Sequence, residues 1–147
     1  MSNMQSELSR AAALTFECLS FMLPADDAAP EDDAPAAARA QVRFTGPFDG
    51  GLVVMACESL LPALTANMLG AESPPPGDQQ LDALGEVANV VCGNLLPVIG
   101  GAEQIFRIEA PRVEPVSEQR PPEGNVAANT RLRLDEGWVE LWLLLDA

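Results

Sequence analysis

AQVRFTGPFDGGLVVMA, residues 40–56, is the stretch whose reading decides the fold class. From Ala40 to Thr45, Val42 and Phe44 share one face while Gln41 and Arg43 share the other, the period of a half-buried strand. Gly46-Pro47 marks a turn. After Asp49-Gly50-Gly51, the run Leu52-Val53-Val54-Met55-Ala56 reads as a more buried strand returning antiparallel to the first.

Upstream, Leu8, Ala11, Ala12, Thr15, Cys18, Leu19 and Met22 recur at helical spacing, so Ser2 to Leu23 reads as an amphipathic helix stopped by Pro24. Residues 24–37, PADDAAPEDDAPAA, mix proline, alanine and acids without period and read as an acidic mobile loop. Downstream, Glu58 to Leu69 reads as a second helix closed by Gly70. The prolines between Ser73 and Gly77 separate it from a third helix, Gln79 to Val98, ended by Pro97 and Gly100-Gly101. Three strands follow: Gln104 to Pro111, Val126 to Leu134, and Trp138 to Leu145, the last two joined by the turn Asp135-Glu136-Gly137. The fold class expected is α+β, a mainly antiparallel sheet packed against long amphipathic helices. A coarse order of helix then hairpin occurs twice, without a residue-level repeat.

A chain of 147 residues, 48% hydrophobic and 20% charged, fits one folded domain spanning 1–147. Its formal charge of −14 disfavours nucleic acid and anionic membranes as partners. Much of that charge sits in the acidic loop, at Asp26, Asp27, Glu31, Asp32 and Asp33, where it also serves solvation. The absence of histidine removes imidazole bases, the usual serine triads and most zinc sites. The three cysteines, Cys18, Cys57 and Cys92, are far apart among apolar residues and read as small core residues in a reducing compartment. Glu17 interrupts the apolar run Ala11 to Leu23 and no cleavage site follows, so a signal peptide is not expected. No uncharged apolar stretch approaches the roughly 20 residues of a membrane span, and a cytoplasmic location is expected.

The third helix carries the chemistry. Leu81, Leu84, Ala88, Val91, Cys92 and Leu95 form its core face, while Asp82, Glu86, Asn89 and Gly93 fall on the opposite side within an arc of about 60°. Every amphipathic helix has a polar face, and acids near its N-terminus complement the dipole, so a merely solvated stripe is one reading. Against it, the stripe is narrow, no cation pairs with Glu86, and asparagine is a poor mid-helix choice. Glycine at 93 costs about 0.5–1 kcal/mol relative to alanine, which close approach by a partner would offset. A carboxamide both donates and accepts, so Asn89 can orient a water but cannot act as its base. That suits phosphoryl transfer, where positioning and charge neutralisation supply most of the catalysis.

Asp82-Ala-Leu-Gly-Glu86-Val-Ala-Asn89, followed by Gly93-Asn94, resembles the acid-x-x-x-Glu-x-x-Asn signature of the CheC/CheX/FliY chemotaxis phosphatases. Pro111 sits close to where that family places a proline. Phe44-Thr-Gly-Pro-Phe-Asp-Gly-Gly-Leu-Val-Val and Ala66-Asn-Met-Leu-Gly70 are similar to the hairpin and second helix of CheX-type domains. The resemblance implies a phosphatase that removes the phosphoryl group from the aspartyl phosphate of a CheY-like response-regulator receiver domain. In that reading Asn89 positions water, Glu86 pairs with the receiver's lysine, Asp82 and Gly93 contact the partner, and Mg2+ comes with the receiver, no cofactor being bound by this chain. The first helix offers only Glu17-Cys-Leu-Ser20, with serine in place of asparagine, so one functional site is expected, as in CheX-like proteins. Those form dimers through their sheet, and the apolar strand Trp138 to Leu145 is the edge expected for a homodimer. The alternative is a non-catalytic receiver-binding module like the related domains of flagellar switch proteins.

Overall fold

The computed structural model describes residues 3–24, 34–73, 75–118 and 120–146. The five acids of the loop lie outside the described residues. Helix α1 runs Met4–Ser20, begun by Asn3, whose Oδ1 accepts from the backbone N–H of Gln5 and Ser6 at 3.0 and 3.4 Å. Its buried side is Leu8, Ala11, Ala12, Thr15, Phe16 and Ser20. Cys18 was expected in the core and is instead exposed. The buried arc turns toward Phe16 and Ser20, which leaves Cys18 with Leu14 and Glu17 on the solvent side.

The hairpin forms as read but starts earlier, with β1 at Ala36–Thr45 and β2 at Gly50–Cys57. Residues 36 and 37 thus leave the expected loop and join the sheet. Their run of alanines hid the strand, yet Ala38 and Ala40 are fully buried on a strand that α3 packs against. Helix α2, Leu60–Leu69, ends at Gly70 in the left-handed region (φ 66°). Helix α3, Gly77–Gly100, passes through Pro97 rather than ending there. Proline in the last turn removes one N–H, so the carbonyl of Gly93, four residues earlier, loses its helical donor while the helix survives. By length and composition α3 could cross a membrane, but half of that window is buried within the fold, as in the core helix of a soluble protein.

The expected strand from Gln104 to Pro111 shrinks to β3 (Arg107–Ile108), and a strand that was not expected, β4 (Arg112–Pro115), follows it, both antiparallel to β1. Pro111 cannot donate to the ladder and breaks it between them. Strands β5 (Val126–Leu134) and β6 (Gly137–Leu145) form the last hairpin. Gly137 has φ 154°, and a Cβ there would lie 2.4 Å from Cys57 Sγ, so the turn admits only glycine.

The sheet order is β3-β1-β2-β6-β5, with β4 also on β1. Strand β6 therefore lies between β2 and β5 and cannot be the dimer edge expected from the sequence; any pairing through the sheet would use β5 or the β3/β4 side. Its apolar composition reflects burial on both faces. On the outer strand β5, the Gln5 side chain takes up both backbone groups of Asn129, accepting from its N–H at 3.0 Å and donating to its carbonyl. The two hairpins meet along β2 and β6, with α1 packed over β5 and α3 over β1. Each long helix thus covers the hairpin of the other half, the architecture behind the repeated order in the sequence.

Candidate functional site

Helix α3 is fixed by its buried side, Leu84, Val87, Ala88, Val91, Cys92, Leu95 and Leu96. Burial pushes the Cys92 thiol up to about 12 from 9.0, the behaviour of an inert core thiol. Two features then hold the helix at a defined depth. A Cβ on Gly85 would stand 3.0 Å from Val113 and 3.2 Å from Pro111, so the missing side chain is what lets α3 settle against the β3–β4 connection. On its other flank Asn94 Nδ2 donates to Thr15 Oγ1 of α1 at 3.2 Å. Sequence reading named Pro111 but passed over Gly85, which packs against it one residue before Glu86. A glycine at that point of an otherwise apolar-to-polar boundary was the available signal.

Asp82, Glu86 and Gly93 are exposed, and among the described residues neither carboxylate has an ion-pair or hydrogen-bond partner. A Cβ at Gly93 would meet nothing within 4 Å, so no neighbour within the fold requires glycine there. Asn89, one turn beyond Glu86, sits deeper than the sequence indicated. It is half-buried, and its Oδ1 is buried with no hydrogen-bond partner. An unmet buried acceptor costs about 1–3 kcal/mol, which a group donated from outside the chain would offset.

Helix α1 offers no second copy of this arrangement. Ser20 is buried and its Oγ donates to Phe16 O at 2.7 Å within its own helix, leaving only Glu17 at the surface. Beside Glu86 lies an open groove of about 470 Å3 between α1, α2 and α3, lined by Leu19, Met68, Leu69, Asp82, Ala83 and Glu86 among others. Among the described residues no group of three or more Asp, Glu, Cys or His could hold a metal.

The sequence profile of the family described as chemotaxis phosphatase CheX matches residues 38–115, which include most of β1 and all of β2, α2, α3, β3 and β4. Similar solved structures include a CheX protein from Desulfovibrio desulfuricans, 18% identical, covering 99% of this chain and 100% of its own, with a TM-score of 0.76. One from Vibrio vulnificus is 14% identical over 99% of this chain and 97% of its own, with a TM-score of 0.79. A third, in a CheX–CheY–BeF3–Mg2+ complex from Borrelia burgdorferi, is 13% identical over 97% of both chains, with a TM-score of 0.72. No curated protein sequence matches the chain significantly. These structures share the α+β fold over nearly the whole length, and the profile match spans more than half of the sequence: the chain belongs to the CheX family of chemotaxis phosphatases.

Proposed function

We propose that this protein hydrolyses the aspartyl phosphate of a CheY-like receiver domain, with Asn89 and Glu86 as the working pair. The observation that carries the reading is the buried, unpartnered Oδ1 of Asn89 one helical turn from the unpaired Glu86. An acceptor left without a donor inside the chain gains one when the Asn89 side chain turns outward to a water molecule at the phosphorus. In the proposed step Asn89 holds that water in line. The water oxygen bonds to phosphorus, the bond from phosphorus to the aspartyl oxygen breaks, and inorganic phosphate and the free carboxylate result. No protein base is needed when orientation carries the step.

Glu86 forms an ion pair with the receiver's lysine, which fixes the register of the two proteins, and Asp82 and Gly93 complete the contact. Gly93 presents bare backbone, including the carbonyl that Pro97 leaves without a donor. Mg2+ belongs to the receiver, where it offsets charge on the phosphoryl group. The Borrelia burgdorferi relative solved with CheY, BeF3 and Mg2+ supports a partner of this class. A receiver partner also places the protein in the cytoplasm.

Phosphate release from a phosphorylated cognate receiver tests the reading. Asn89→Ala is expected to lower kcat by about 10²-fold with binding retained, the scale of a lost positioning contact. Equal rates for wild type and variant would remove Asn89 from the mechanism. Binding by the wild type without any acceleration would leave a receiver-binding module in place of an enzyme.

A further inference from the structure

We infer that the groove between α1, α2 and α3 is where the receiver seats an aliphatic side chain, and that it governs how tightly the receiver is held rather than how fast phosphate leaves. The inference rests on the function proposed above and deepens it. Leu19 and Met68 form apolar walls, Ala83 lies at the base, and Leu69 stands at the mouth with 59% of its surface exposed. Nothing in the packing of α2 requires a leucine there, since the helix is anchored by Leu60, Leu61 and Leu64.

Asp82 and Glu86 belong both to the groove and to the polar stripe, so a protein that engages Glu86 also covers the groove's mouth. No cation lines it. Two carboxylates over an apolar base repel an anionic occupant and accept an aliphatic side chain next to a basic one, and on the reading above the basic one is the receiver's lysine paired with Glu86. A second copy of this chain, with eight cationic residues against 22 acidic ones, is the poorer source of that basic side chain.

The test uses Leu69→Asp and Leu69→Met in the full chain, with the cognate receiver either phosphorylated or loaded with BeF3 and Mg2+. Leu69→Asp is expected to raise KM for the phosphorylated receiver, and Kd for the loaded one, by about tenfold or more, with kcat within about twofold of wild type. Leu69→Met, which keeps an apolar chain, is expected to stay near wild type. An unchanged KM and Kd overturn the inference, as does a fall in kcat at constant KM. Loss of self-association with an unchanged receiver Kd would assign the groove to a second copy and also overturn it. If wild type binds the loaded receiver without hydrolysing its phosphorylated form, hydrolysis alone falls, and the Kd ratio still decides the groove. Circular dichroism of the Leu69→Asp variant excludes misfolding as the cause.

Discussion

Two residues are held against their own preferences. Asn89 keeps a buried acceptor without a donor and is a weak helix former, so the fold would be better served by an apolar side chain of similar size. Asn89→Leu is therefore expected to raise the free energy of unfolding by about 1 kcal/mol while abolishing phosphate release, measured by urea titration and by receiver dephosphorylation. A loss of stability would mean that Asn89 is a structural residue. Phe21 is the other. It caps α1 in the left-handed region (φ 60°) with 80% of its surface exposed, the position glycine ordinarily takes. Relief of that conformation outweighs the added freedom of glycine in the unfolded chain, so Phe21→Gly is expected to stabilise by about 0.5–1 kcal/mol. The stripe Asp82, Glu86, Asn89, Gly93 was legible from helical spacing because it needs only one element. The burial of Asn89 Oδ1 was not, because it depends on what packs beside the helix.

At the level of elements, legibility followed how much of a signal lay within the element itself. Strand β5 was read at its observed bounds, Val126–Leu134, since alternation runs through it and a turn closes it. Strand β4 was missed because its four residues, Arg112–Pro115, are too few to show a period, and its pairing is supplied by β1. The same connection now matters to the site, because Pro111 and Val113 are the surface on which Gly85 lets α3 rest. Gly85→Leu is expected to push the helix off that seat, lowering stability by about 1–3 kcal/mol and lowering activity further than the stability loss explains. Thermal melts beside receiver dephosphorylation at a temperature where both proteins are folded check this; full activity would show that the α3–β4 contact does not position Glu86 and Asn89.

For the whole molecule, the sheet order was the least legible feature, because the central place of β6 is fixed only when β2 pairs with it across more than 80 residues of chain. The folded chain buries Cys57 on β2 and Cys92 on α3 and leaves Cys18 outside, so the thiols report on the whole fold. Cys18 is expected to react at once with a thiol reagent, and the other two only through opening of the structure. The pH dependence follows from Cys92. Its folded value of about 12 lies above the ordinary 9.0, so the folded state holds the proton more tightly than the unfolded chain. The associated stability is complete below pH 9.0 and is lost as pH climbs through 9.0 toward 12. The chain has no tyrosine and its basic residues are all arginine, so no tyrosine or lysine side chain masks the effect of Cys92 in that range. Urea midpoints measured from pH 8 to pH 11 are therefore expected to fall for wild type and to flatten in Cys92→Ala, even though the variant starts lower at pH 8 from lost packing. Parallel pH profiles would show that the Cys92 thiol is not held protonated by the core.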